Sequence, residues 1–78
     1  MTMVEEIVSS IEKNIEGSKA RAQQNSGGHF EVEVTSAEFE GKNLLAKQRL
    51  VLNSIKHLMK GADAPVHAID KITTLLPE

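Results

Sequence analysis

The side chains best suited to chemistry in this 78-residue chain are three histidines, because the sequence contains no cysteine. Imidazole titrates near neutral pH and binds metal ions through a ring nitrogen. No two of His29, His57 and His67 are spaced as metal ligands on one helix, so we expect no zinc site built by this chain alone. The missing cysteines also exclude intrachain disulfides and thiolate ligands.

His67 is the strongest candidate of the three. It lies near the start of the last predicted strand, and alternation places it with Ile69 on the face that we expect to be open to solvent. A histidine with an apolar neighbour on such a face can serve as a ligand or a partner contact. Composition alone favours the alternative that His67 is an ordinary exposed histidine. For His29, at the start of the central strand, and for His57, on the polar side of a helix, structural or surface roles are the simpler interpretation.

The carboxylates, serines and glycines form no recognisable catalytic group. Glu31 and Glu33 share a strand face, and Glu38 and Glu40 flank Phe39, but neither pair accompanies a pattern typical of a pocket. No serine lies in a nucleophile motif, and no glycine-rich phosphate loop is present. We therefore expect a protein that is not an enzyme.

One face of the second predicted helix is basic. Its residues, which could contact nucleic-acid phosphates or an acidic protein, are Lys42, Arg49, Lys56 and Lys60. A solvated helix face is the simpler alternative, since the polar side of an amphipathic helix is usually charged. The formal net charge of -2 argues against a general nucleic-acid binder.

Hydrophobic periodicity predicts the elements that position these residues. Helices are expected from a capping box at Thr2 to about Gly17 and from Asn43 to about Lys60, and strands over 18–24, from 29 to 35 and over 66–73. Apolar and polar residues alternate in the middle strand, so one face of the sheet is predicted to be buried. The order predicts a single α+β domain over 1–78, a three-stranded mixed sheet with both helices on one face.

The sequence also bears on location. It contains no apolar run of membrane-spanning length, and its acidic start lacks the pattern of a signal peptide. We therefore expect a cytoplasmic protein with no membrane partner, monomeric when isolated.

The order of several short motifs resembles the BolA-like family. These motifs are His29-Phe30-Glu31-Val32-Glu33-Val34, Phe39-Glu40-Gly41-Lys42, Lys47-Gln48-Arg49-Leu50-Val51 and Val66-His67-Ala68-Ile69. The similarity extends to about Thr74, and it implies a class II KH-like fold. Many members carry Arg-His-Arg where this chain has Lys47-Gln48-Arg49, and the form found here is similar to the shorter bacterial branch of the family.

The resemblance implies a non-enzymatic partner of a monothiol glutaredoxin, acting in the binding or trafficking of a 2Fe–2S cluster that both proteins and glutathione share. The histidine of the family's Val-His-Ala strand is a cluster ligand and matches His67. A second ligand in the family comes from the loop before the central strand, where this chain has neither histidine nor cysteine, and His29 is the nearest candidate. We expect no cofactor in the isolated chain, and partner contacts at Ile69, Lys42, Arg49 and Lys56.

The alternative function belongs to a different class. A nucleic-acid-binding transcription regulator is favoured by the KH-like topology and the role in gene regulation that the resemblance implies, and by the basic helix face, which would lie on DNA. The chain lacks the glycine loop with which KH domains bind RNA, and its net charge is negative. Both features count against this alternative.

Overall fold

A computed structural model describes all 78 residues and confirms the predicted α+β class and element order. The α-helices are α1 (Met3–Asn14) and α2 (Leu44–Ile55), and the strands are β1 (Lys19–Ser26), β2 (His29–Thr35) and β3 (Ala68–Leu75). Short 3-10 helices cover Ala37–Phe39 and Lys56–Leu58. Neither α-helix has the length and apolarity that crossing a membrane requires.

The central strand is β2, which pairs with β1 antiparallel and with β3 in parallel. A parallel pair requires a crossover connection, and α2 provides it. The inward side chains of β2 are buried, as its alternating sequence predicts, with Phe30, Val32 and Val34 all at most 3% exposed. The three-stranded mixed sheet predicted from the sequence is therefore confirmed.

Both helices cover the same face of this sheet. Isoleucines from α1 and apolar residues from α2 join the inward side chains of β2 in one core, whose ten buried members are Ile7, Ile11, Ile15, Phe30, Val32, Val34, Phe39, Val51, Ile55 and Val66. Phe39, one of the two aromatic residues of the chain, is buried and anchors the connector after β2. The opposite face of the sheet stays open and polar.

The predicted capping box forms at the start of α1. The Thr2 hydroxyl accepts a hydrogen bond from Glu5 N at 3.1 Å, and the Glu5 carboxylate accepts one from Thr2 N at 2.8 Å. The backbone N–H of Thr2, followed by its hydroxyl, holds the pKa of Glu5 below its ordinary value of 4.5.

The second helix is shorter than predicted. It ends at Ile55, not near Lys60, and continues as the 3-10 turn Lys56–Leu58. The buried Ser54 hydroxyl donates back to the Val51 carbonyl at 2.6 Å, a bond that competes with regular helical geometry. At the other end of α2, Leu44 is 60% exposed although the helical wheel places it on the apolar face.

The last strand starts two residues later than predicted and contains a β-bulge. Ile69 pairs with Phe30 and Lys71 pairs with Glu31, so Asp70 is the extra residue. Because of this insertion, Ile69 and Ile72 both pack against the core although they are three positions apart. The prediction that Ile69 shares the open face with His67 is wrong, since Ile69 pairs with the buried Phe30 and His67 precedes the regular strand, where alternation does not apply. Val66 is buried before the strand begins.

Candidate metal-ligand site

The backbones of two of the three histidines are neighbours where β2 and β3 begin, because parallel strands start at the same end of the sheet. His29 pairs with Ala68, the residue that follows His67. The Gly28 carbonyl accepts hydrogen bonds from His67 N at 2.8 Å and from Ala68 N at 3.2 Å. We refer to Gly28, His29, His67 and Asp70 as the β2–β3 corner.

The His67 ring lies directly against Gly28. A Cβ atom at position 28 would overlap Cδ2 of this ring and lie only 2.8 Å from Cγ. Glycine is thus the residue that the close approach requires. The side chain of His67 is exposed and makes no hydrogen bond within the chain, so both ring nitrogens are available to another molecule.

The His29 ring is held by a carboxylate. Its Nδ1 lies 2.9 Å from Oδ1 of Asp70, the bulge residue of β3. The second carboxylate oxygen accepts a hydrogen bond from Asn25 Nδ2 at 3.0 Å. The hydrogen bonds from His29 and then from Asn25 hold the pKa of Asp70 below its ordinary value. Half of the His29 side chain remains exposed.

The corner therefore presents one unrestrained imidazole and one imidazole oriented by a carboxylate. Histidines that bind metals usually donate their second ring nitrogen to a carboxylate or carbonyl, which fixes the orientation of the ring. Nowhere does the chain bring together three or more His, Asp or Glu side chains that could hold a metal ion. A full coordination sphere at this corner would need ligands from another molecule.

The sequence of the whole domain matches a known protein family. The family model described as BolA-like protein matches residues 5–78. The chain belongs to the BolA-like family. The resemblance that the short motifs carry is thereby confirmed, and the match also includes most of α1.

Solved structures of BolA proteins share the fold. A bolA homologue from Coxiella burnetii is 31% identical, with 99% of this chain and 94% of that chain covered and a TM-score of 0.80. BolA1 from Mus musculus is 29% identical, with 99% and 68% covered and a TM-score of 0.71. The BolA domain of SufE1 from Arabidopsis thaliana, 19% identical with 99% and 94% covered and a TM-score of 0.79, shows the shared fold alone. A search of curated proteins yields no match.

The remaining histidine of this BolA-like protein lies away from the corner, on the helical side. His57 follows α2, and its Nε2 is 3.3 Å from the Ser10 hydroxyl of α1. Its exposed position agrees with the surface role expected from the sequence.

The basic residues predicted to bind a partner are exposed, but they do not form one continuous helix face. Arg49 lies in α2, whereas Lys42 precedes this helix and donates to the Glu38 carbonyl at 2.6 Å. Lys56 belongs to the following 3-10 turn and Lys60 lies beyond it. The basic residues thus belong to several consecutive segments, and both DNA binding and partner binding by them stay predictions.

The open face of the sheet contains a shallow groove of about 380 Å³, away from the two histidines. Charged side chains of all three strands line it, among them Arg21, Glu31, Glu33 and Lys71. Arg21 and Glu33 lie 3.9 Å apart, which partly neutralises the groove. The only pronounced concavity and the candidate ligands are therefore in different places.

Sequence analysis missed three residues of the site: Asn25, Gly28 and Asp70. The first two were assigned only to a turn, and nothing in local composition distinguishes a turn glycine from one that a histidine ring contacts. A pattern that points to Asp70 does exist. Two isoleucines three positions apart in one strand, Ile69 and Ile72, can both be buried only if a bulge intervenes.

Proposed function

We propose that this BolA-like protein is a non-enzymatic partner of a monothiol glutaredoxin and helps to bind and pass on a 2Fe–2S cluster. His67 donates a ring nitrogen to iron, while the glutaredoxin and glutathione supply the thiolates. Family membership supports an iron–sulfur role, and BolA-like proteins are generally not enzymes.

The proposal rests on the exposure of the His67 ring and on the contacts that it makes. Its ring is exposed, forms no hydrogen bond within the chain and is backed by the Gly28 backbone. A ring in this position can bind a ligand held on the surface of another protein without breaking a hydrogen bond of its own. The backbone of His29 pairs with that of Ala68, the residue after His67, so a second histidine belongs to the same corner.

The donor chemistry of the chain fits a shared cluster. Imidazole nitrogens replace thiolates on one iron of Rieske-type 2Fe–2S centres, where they raise the reduction potential. The chain has no cysteine, and no group of three candidate ligands comes together in it. What this chain can contribute is therefore a nitrogen ligand, and thiolates have to come from the partner.

The test is reconstitution with a monothiol glutaredoxin, ferrous iron, sulfide and glutathione under anaerobic conditions, followed by visible absorption and circular dichroism. We expect the spectrum of the glutaredoxin homodimer to change when the wild-type chain is added, and His67→Ala to abolish this change. His57→Ala is the matched control, because it removes an exposed imidazole outside the corner. An unchanged homodimer spectrum, or a His67→Ala variant that behaves as the wild type, would contradict the proposal.

A further inference from the structure

The β-bulge in β3 has a specific effect on the open face of the sheet. Because Asp70 has no partner of its own in β2, its carboxylate reaches the ring of His29, the first residue of β2. Bulges commonly redirect a side chain in this way near functional sites. A regular strand would pair position 70 with Glu31 and place two carboxylates opposite each other, which is unfavourable.

Asn25 fixes the direction of the hydrogen bonds around Asp70. Its amide lies between two carboxylates, with Nδ2 at 3.0 Å from Asp70 and 3.2 Å from Glu31. Only the NH2 group of the amide can face two acceptors, so the amide orientation is settled by its surroundings. One oxygen of Asp70 is thus used by Asn25, and the other faces His29.

This network determines which nitrogen of His29 carries hydrogen. An ionised carboxylate can only accept hydrogen bonds, so the Nδ1 of His29 has to be the donor across the 2.9 Å contact. In a neutral ring, hydrogen on Nδ1 leaves the lone pair on Nε2. Histidine in water favours the opposite tautomer, with hydrogen on Nε2.

We propose that Asp70 is a positioning residue that holds His29 as the Nδ1–H tautomer and thereby makes Nε2 a second nitrogen ligand at the β2–β3 corner. This inference rests on the proposed function and extends it, because it assigns the ligand that the loop before β2 lacks. His67 has no such restraint, so the two imidazoles act differently: His29 is oriented in advance, and His67 adjusts to the partner.

The first experiment uses the isolated chain and long-range ¹H–¹⁵N correlation spectra of the histidine rings at about pH 8, where an ordinary imidazole is neutral. We expect wild-type His29 to carry hydrogen on Nδ1, and Asp70→Ala to shift the ring towards the Nε2–H tautomer. Asp63→Ala is the matched control, since Asp63 is also exposed and forms no hydrogen bond to His29. Hydrogen on Nε2 in the wild type, or an unchanged tautomer in Asp70→Ala, overturns the inference.

The second experiment measures how fast a ferrous chelator removes iron from the reconstituted complex with glutaredoxin. Loss of a carboxylate that orients a ligating histidine typically weakens metal binding by about 10- to 100-fold. We therefore expect release to be at least about 10-fold faster for Asp70→Ala, similar for His29→Ala, and unchanged for Asp63→Ala. Asp70→Asn should give an intermediate rate, because its amide can satisfy either Asn25 or the Nδ1–H of His29, but not both.

The variants separate the two proposals. If His67→Ala abolishes the complex while His29→Ala and Asp70→Ala release iron like the wild type, the ligand role of His29 is overturned and the proposed function stands. If no shared cluster forms with the wild-type chain, the proposed function fails, and the role of Nε2 as an iron ligand fails with it. The tautomer spectra still report directly on whether Asp70 positions the ring.

Discussion

The two faces of the sheet are built on different principles. The covered face is apolar and regular, with Ile11 of α1 packed against the alternating inward residues of β2. The open face is polar, and its candidate ligands meet only at one corner, through a bulge and a close backbone approach. The contrast shows that hydrophobic packing specifies the fold, whereas local departures from regular geometry place the histidines.

The contrast is tested most strongly by removing apolar volume from the covered face. Ile11 is completely buried, so Ile11→Ala should lower the free energy of unfolding by about 2–5 kcal/mol. Lys71→Ala, an exposed change in β3, should alter it by no more than about 0.5 kcal/mol. Urea denaturation followed by far-UV circular dichroism measures both. Equal losses of unfolding free energy in the two variants would show that side chains on the open face also stabilise the fold.

A second test compares neighbouring glycines. Gly28→Ala should displace the His67 ring and destabilise the chain by about 1–3 kcal/mol through overpacking. Gly27 has a φ of +50° and open space around its Cβ position, so Gly27→Ala should cost about 1–2 kcal/mol through backbone strain alone. Ring chemical shifts of His67 separate the variants, since only Gly28→Ala should change them strongly. Equal ring shifts in both would contradict the role given to Gly28.

A third test uses acid to weaken the N-terminal end of α1. Because folding lowers the pKa of Glu5, ionised Glu5 stabilises the folded state above its ordinary pKa of 4.5, and this contribution is lost as the pH falls through the lowered value. Glu5→Gln keeps a side chain able to complete the capping box but does not titrate. The urea midpoint of the wild type should therefore fall more steeply with acid than that of Glu5→Gln. Parallel curves would rule out this contribution.

The smallest effect is expected for the exposed basic residues. If Arg49 and Lys56 contact the glutaredoxin at the rim of the interface, each change to alanine should weaken binding by less than about 1 kcal/mol. The effect should shrink at high salt because exposed charges are screened. Calorimetric titration at two ionic strengths measures this, with Lys13→Ala on α1 as control. A loss that salt does not change would indicate a buried contact instead.

The sequence predicts the covered face well, because the residues buried on one side of a helix or strand recur at a regular spacing. The bounds of β2 and the capping box at Thr2 follow from local pattern. The early end of α2 depends on the Ser54 hydroxyl turning back to the backbone, which periodicity does not encode. His67 is predicted from its place near the last strand and from the motif resemblance, whereas Asp70 and Gly28 matter only because β2 and β3 pair in parallel, a contact between segments far apart in the chain.

That parallel pairing also sets the order in which the molecule can assemble. The β1–β2 hairpin closes over a short turn, whereas the pairing of β3 with β2 closes the whole segment that contains α2. Contacts between distant segments form slowly, because the chain loses the entropy of loop closure before the new contacts stabilise it. The backbones of His29 and His67 therefore become neighbours only when β3 pairs with β2, so the β2–β3 corner exists only in chains that have made this long-range pairing.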